Sequence, residues 1–461
     1  MRVYLESFGC TQNLGEARAL EALARRAGHE IVRAPAGAEV GVLVTCGVIG
    51  STEARMIRRY RALAGRIPRV VVTGCLVPLR NGLFPPEYAD RTTFLPIREQ
   101  ARLPELLGAG DPGGPGAPAP PAEPPAAGTA PTAEIVLAQG CTSHCAYCFS
   151  RLARGHLVSV PPFEVLDRVR AAARAGAREI RPSSLATACW GLDRPGGPRL
   201  PELLGELSGL PGAFQVRVGM MSPQSLRPFA EEYFRELGSE RFFSFLHLPL
   251  QSGSDSVLAA MRRGYTSGEF RDLLRTARRA IPEIMLSTDL IVGYPTETDS
   301  DFEATLALLE EVAPEVLNVT RFSARPMTPA HRLPPLPPGT VKRRSRALAE
   351  LRLRTSRRRL EAWIGREARG TVLEYGPHGS SVARLPNYLP VALPSRPPLG
   401  RRCTIRIDGA RSNYLQGTVR GEPEVPEEDA PMPDGLPVVA PRPPRRAAPP
   451  VPVRPSGALG S

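Results

Sequence analysis

The sequence predicts an α/β protein in three parts: an N-terminal parallel α/β domain, a central β/α barrel and a small C-terminal β-barrel. Three observations carry this. Residues 1–107 alternate short β-branched runs with helical stretches, the pattern of a parallel sheet with crossover helices. Residues 134–339 continue the strand–helix rhythm through six units, which fits an open or closed β/α barrel. Residues 365–421 break into short strands separated by Gly/Pro turns.

In the first part the strand runs are Arg2–Glu6, Val40–Val44 and Arg69–Thr73, and the helical stretches are Gly15–Ala27 and Ser51–Gly65. Residues 108–133 lack apolar periodicity and are rich in Pro, Gly and Ala, so they read as a linker. The expected barrel strands are Glu134–Ala138, Glu179–Ser183, Phe214–Val218, Phe243–His247, Ile284–Val292 and Val316–Thr320, with helices such as Phe163–Ala175 and Asp299–Val312 between them. Residues 340–364 form a strongly basic helix, and the Pro-rich stretch 422–461 is expected to be disordered.

The 461 residues carry a formal charge of +13, a field that favours polyanions such as nucleic acid. Lys342 stands alone among 59 basic residues, and such an arginine bias also fits a GC-rich gene, so charge by itself does not decide for RNA. No apolar run has the length of a membrane span, and MRVYLESFGC lacks the apolar region of a signal peptide. The expected location is the cytoplasm. There the eight cysteines stay reduced and read as metal ligands or core residues.

The strongest motif is Cys141-Thr-Ser-His-Cys145-Ala-Tyr-Cys148, after the first expected barrel strand with Gly140 at the turn. Three thiolates at spacings of four and three can hold three irons of a [4Fe–4S] cube and leave one iron free for a chelating ligand. A structural zinc site would want a fourth ligand, and His144 between the cysteines is awkwardly placed to join them. Cys10, Cys46 and Cys75 each follow an expected strand. Carboxyl ends of parallel strands share one edge, so these three thiols can converge although far apart in sequence. Cys189 and Cys403 lack partners at ligand spacing and read as core residues.

CxxxCxxC after the first strand of a β/α barrel resembles the radical S-adenosylmethionine (SAM) superfamily. The wording of Arg151-Leu-Ala-Arg-Gly-His-Leu-Val-Ser159, Arg217-Val-Gly-Met-Met221, His247-Leu-Pro-Leu-Gln-Ser-Gly-Ser254, Met261-Arg-Arg-Gly-Tyr-Thr266, Thr288–Glu297 and Thr320–Arg325 resembles the methylthiotransferases, most of all the archaeal and eukaryotic branch acting on N6-threonylcarbamoyladenosine in tRNA. The resemblance implies a free iron that chelates SAM, reductive cleavage of SAM to a 5′-deoxyadenosyl radical, and a second [4Fe–4S] cluster at Cys10, Cys46 and Cys75 involved in sulfur delivery. It implies that Tyr147 lies near the adenine of SAM and that Glu179 helps hold its amino end. The alternative for Glu179 is a salt-bridged residue at a strand start. The sequence departs from the family at Leu185-Ala186, where a polar Gln-Asp pair is usual, and at Ser222, where Asn is usual.

Residues 368–420 resemble the TRAM domain, an RNA-binding barrel. Arg384, Arg401, Arg402 and Arg406 are candidate phosphate contacts, and Tyr388 and Tyr414 are candidates either for base stacking or for the barrel core. The implied partners are tRNA and an electron donor such as a flavodoxin or ferredoxin, with no membrane and no DNA. Two rival readings share the cysteines: a methylthiotransferase acting on a ribosomal protein aspartate, and an iron–sulfur RNA-binding protein without catalysis.

Overall fold

The computed structural model describes residues 1–47, 50–108 and 131–424. The N-terminal unit contains β1 (Arg2–Ser7), α1 (Thr11–Arg26), β2 (Glu30–Val32), β3 (Val40–Thr45), α2 (Gly50–Ala64), β4 (Arg69–Gly74), the short α3 (Arg80–Leu83), β5 (Thr92–Leu95) and α4 (Leu103–Leu106). All its strands run parallel in the order β2-β1-β3-β4-β5. The central strand β3, Val-Gly-Val-Leu-Val-Thr, is buried at every residue, as a parallel strand covered on both faces should be. One face packs on α1 through Leu20, Leu23 and Ala24, and the other packs on α2 through Met56, Tyr60 and Leu63.

The second unit contains β6 (Thr132–Val136), β7 (Ala138–Gln139), α5 (Ser150–Arg154), β8 (Val158–Ser159), α6 (Pro162–Arg174), β9 (Glu179–Ser183), α7 (Leu200–Ser208), β10 (Gln215–Val216), α8 (Pro223–Leu226), α9 (Ala230–Leu237), β11 (Phe245–His247), α10 (Asp255–Ala260), α11 (Ser267–Ala280), β12 (Met285–Val292), α12 (Asp299–Val312) and β13 (Val316–Arg321). The parallel strands form two sheets, β10-β9-β6 and β11-β12-β13, joined by a bridge from Val216 to Phe242. No pairing among the described residues links β6 to β13, so the barrel is open. Helix registers follow local chemistry: α11 and α12 begin with capping boxes, Thr266 with Glu269 and Thr298 with Asp301, and α9 buries Ala230, Tyr233, Phe234 and Leu237 as one stripe.

Several boundaries differ from expectation. Thr132 and Ala133 belong to β6 rather than to the linker, whose residues 109–130 lie outside the description. The expected strand Glu134–Ala138 is interrupted at Leu137. Beyond it β7 pairs antiparallel with β8, closing the cysteine loop between them.

The basic helix α13 (Pro338–Glu361) leads to β14 (Glu367–Tyr375), β15 (Ser381–Arg384), β16 (Pro390–Leu393), β17 (Arg402–Ala410) and β18 (Leu415–Glu424), a closed barrel in the order β14-β15-β16-β18-β17. Residues 422–424 therefore complete a strand instead of starting a tail; 425–461 lie outside the described residues. The small barrel shares its core with the central unit: Phe243, Phe245 and Met285 pack among Tyr388, Leu389 and Val391. At this seam the Tyr388 hydroxyl donates to Glu179 (2.7 Å), which also receives two bonds of 2.7 Å from Arg181. Tyr388→Phe removes one donor from a buried carboxylate and is expected to cost about 1.5–3 kcal/mol. Urea unfolding checks this against Tyr375→Phe on the exposed face, which should change stability little.

Candidate active site

Cys10, Cys46 and Cys75 follow the adjacent parallel strands β1, β3 and β4, so the fold brings three sequence-distant thiols to one edge. Cys10 is exposed and forms the N-cap of α1, whereas Cys46 and Cys75 are buried. Gly9 makes their approach possible. It sits at φ +117°, and a Cβ there would lie 2.7 Å from the Cys46 Cβ. The Cys75 N–H donates to the Thr45 carbonyl (3.0 Å), tying the ends of β3 and β4 together. Burial pushes the Cys75 thiol up, against the pull of Arg154.

Arg154 is the residue that sequence reasoning missed. It ends α5 in the central unit, yet its wholly buried side chain reaches the N-terminal triad. The Nε–H donates to the Cys75 sulfur (3.3 Å). Nη1 donates to Glu16 Oε1 and to Gln139 (3.1 Å), and Nη2 donates to Asn13 (2.6 Å) and Glu16 Oε2 (3.2 Å). Burial opposes the guanidinium charge, but Glu16 and Cys75 more than offset it and hold its pKa well above the ordinary arginine value. The only sequence signal was Arg154's place in the Arg151–Ser159 motif, which gives no indication of where its side chain points.

The second triad lies on the loop closed by β7 and β8. The Cys141 N–H donates to the Gly155 carbonyl (3.2 Å), and the Ala146 N–H to Met261 (2.9 Å). Arg263 donates to the Cys145 sulfur (3.1 Å) and to the Ser222 hydroxyl (3.4 Å). Each triad thus has one buried arginine aimed at one cysteine sulfur. Burial pushes the Cys148 thiol up, and Cys145 beside it adds to the shift. Tyr147 packs with Val257, Met261, Tyr294 and Ala330 beside this loop. Cys189 is fully buried, its thiol between Thr142 (3.3 Å) and Ser225 (3.0 Å), and Cys403 is wholly buried in the small barrel. Among the described residues no group of three Cys, His, Asp or Glu side chains is drawn in around a single metal ion; a cube spreads its thiolates wider than one ion does.

Glu179 is not at this edge. It pairs with Thr132 and Gln215 at the amino ends of β9, β6 and β10, the opposite end from Cys141, and is held by Arg181 and Tyr388. The salt-bridged alternative is the one the structure supports. Two hydroxyls at the carboxyl end of β9, those of Ser183 and Ser184, are buried without a hydrogen-bond partner.

The radical SAM superfamily is matched over residues 135–309, the uncharacterized protein family UPF0004 over 2–84 and the TRAM domain over 362–419. A "Probable threonylcarbamoyladenosine tRNA methylthiotransferase" of Methanothermobacter thermautotrophicus is 34% identical over 423 residues, covering 90% of this chain and 99% of that one. One of the same name from Pyrococcus horikoshii is 33% identical, covering 91% and 99%. The Danio rerio threonylcarbamoyladenosine tRNA methylthiotransferase is 31% identical, covering 94% and 79%. This chain belongs to that methylthiotransferase family. A radical S-adenosylmethionine methyltransferase from Kitasatospora setae, 15% identical, shares the fold with a TM-score of 0.53 over 71% of this chain and 76% of that one.

Membership of the methylthiotransferase family implies SAM and a [4Fe–4S] cluster, and the second triad fits both. Its three thiols are free and share one loop. The orphaned Ser183 and Ser184 hydroxyls stand at the same end of the barrel, where a polar ligand would satisfy them. The departure at Ser222 keeps an acceptor for Arg263.

In the TRAM barrel of this methylthiotransferase the candidate RNA contacts divide. Arg402 is exposed and Arg406 is exposed beside Asp408 (3.9 Å). Arg384 instead lies over the Tyr388 ring, 4.7 Å from its centroid, and is mostly buried beside Glu374. Arg401 is half-buried. Tyr388 faces the central barrel and is not available for stacking, because it is buried against Phe243 and Phe245 with Arg217 and Arg384 over its ring. Tyr414 is half-buried near the β17–β18 turn.

Gly140 sits at φ +75°, where a Cβ would lie 1.9 Å from the His156 carbonyl oxygen. Gly140→Ala should therefore open the cysteine loop and reduce the iron bound there. Gly176, at φ +90° with open space around it, is the control. Gly176→Ala should cost only the backbone strain, about 1–2 kcal/mol, with iron content unchanged.

Proposed function

We propose that this protein converts N6-threonylcarbamoyladenosine beside the tRNA anticodon to its 2-methylthio derivative, using two [4Fe–4S] clusters and SAM. The observation that carries the reading is that two cysteine triads, each with a buried arginine on one sulfur, sit at carboxyl edges of parallel sheets in a chain that covers 99% of its archaeal relatives.

The SAM-chelating cluster belongs at Cys141, Cys145 and Cys148, and when bound it supplies the electron that cleaves SAM. Arg263 orients Cys145 and places positive charge beside the thiolates. Tyr147 contributes an apolar wall suited to the adenine of SAM, and Ser183 and Ser184 offer hydroxyls to its polar end. Cys10, Cys46 and Cys75 hold the auxiliary cluster. The small barrel holds tRNA through Arg402 and Arg406, with sequence-independent contacts to phosphate, while Arg384 and Tyr388 serve the domain seam. A flavodoxin or ferredoxin supplies electrons, and the reaction takes place in the cytoplasm. Among the described residues no helix is long and apolar enough to cross a membrane.

Changing Cys10, Cys46 and Cys75 together to Ala should leave release of 5′-deoxyadenosine intact and abolish the methylthiolated nucleoside. Mass spectrometry of both products tests this. Product formed at the unmodified rate would show that these cysteines only pack the core, where their truncation costs stability alone. For RNA, deleting the small barrel would expose Phe243, Phe245 and Met285, so surface substitutions are the better probe. Arg402→Ala with Arg406→Ala should weaken tRNA binding and lower the salt slope by about one for each arginine–phosphate pairing removed.

A further inference from the structure

We infer that Arg154 is a positioning residue for the auxiliary cluster: its Nε–H supplies a charge-assisted hydrogen bond to the Cys75 sulfur that sets the cluster's potential, and α5 ties that bond to the loop holding the other triad. The inference rests on reading Cys10, Cys46 and Cys75 as a cluster site.

The guanidinium has five N–H donors in a fixed plane, and all five have acceptors here. Four are taken by Glu16, Gln139 and Asn13, which fix the plane. The remaining one, Nε–H, points at Cys75. A side chain so constrained cannot swing to another partner, so the donor stays on the sulfur whatever the thiolate carries. Hydrogen bonds and positive charge at cluster sulfurs favour the reduced, more negative state and raise the potential. Glu16, whose carboxylate grips the same guanidinium, works in the opposite sense.

The second half of the inference is mechanical. Helix α5 starts at Ser150, two residues after Cys148, and ends at Arg154. At about 1.5 Å per residue it spans only ~8 Å. Its start is anchored by the SAM-side triad and its end by Glu16 and Asn13 of α1, the helix that begins immediately after Cys10. A short rigid element therefore connects one triad to the other and fixes their separation.

Removing Arg154 alone would strand Glu16 as an unpaired buried charge and destabilise the seam. The test therefore compares Glu16→Gln with Glu16→Gln/Arg154→Gln, both in full-length protein carrying Cys141→Ala, Cys145→Ala and Cys148→Ala, so that only the N-terminal triad is reconstituted with iron and sulfide. The readouts are iron content, the midpoint potential followed by electron paramagnetic resonance, and thermal stability. Glu16→Gln should raise the midpoint, and adding Arg154→Gln should move it to more negative values at unchanged iron content. Arg154→Lys, which keeps the charge but lacks the Nε–H, should fall between. Equal midpoints in the single and double variants, with the cluster loaded, would overturn the inference and leave the cluster assignment standing. Failure of the background protein with intact Arg154 to load any cluster would overturn the assignment and this inference together.

Discussion

Leaving a buried guanidinium unpaired is costly, and the Arg154–Glu16 contact makes this a constraint on how the two units meet. Glu16 lies on α1, and Arg154 lies on α5 of the barrel. Bringing two charges out of water is tolerated only if geometry and supporting hydrogen bonds are good. Here Asn13, Gln139 and Cys75 complete the set, so the N-terminal unit docks in one register. The same face of α1 adds Gln12 to Gln139 (2.9 Å) and Arg18 to Glu134. A seam of polar groups, each needing a specific partner, specifies orientation more tightly than an apolar patch of equal area would. That specificity is what two cysteine triads on separate units need.

Parallel sheets supply the rest. In both α/β units the main sheets are parallel, so the loops after their strands emerge on one edge, and residues far apart in sequence meet there without a dedicated scaffold. The opposite edge of the barrel is used differently. Its Arg181, Glu179 and Arg217 form a charged floor onto which Tyr388 of the small barrel docks, with Arg217 4.8 Å from the Phe245 ring centroid and 5.3 Å from that of Tyr388. The cysteine triad at one end and attachment of the TRAM barrel at the other are thus separated by the length of the strands.

Much of this was legible in the sequence because it is local. Val40–Val44 reads as a strand, and β3 covers it; Asp299–Val312 reads as a helix, and α12 spans those residues. Six cysteines placed after strands could be assigned to an edge from topology alone. What was not legible depends on contacts between elements and units. Glu179 stands at the start of β9, where the sequence put it, but only its partners Arg181 and Tyr388 decide for the salt-bridged alternative. For Tyr388 the sequence left base stacking and core packing open, and the core is where it lies. Only the docking of one barrel on another buries it. Arg154 was visible as a motif letter, but its partners Glu16 and Asn13 lie more than a hundred positions away on α1.

The apolar pair Leu185-Ala186, where the sequence resemblance leads one to expect polar side chains, sits in this same geometry. The segment's backbone does not depend on those two side chains. Thr187 holds it, accepting the Ser184 N–H (3.3 Å) and donating its own N–H to Met220 (2.9 Å). Ala186 packs in the barrel core. The polar character of this corner is carried instead by Ser183 and Ser184, whose buried hydroxyls have no partner within the chain. A buried hydroxyl without a partner costs free energy that a polar ligand returns on binding. The two apolar side chains therefore leave the backbone of this corner, and the two buried hydroxyls beside them, in place.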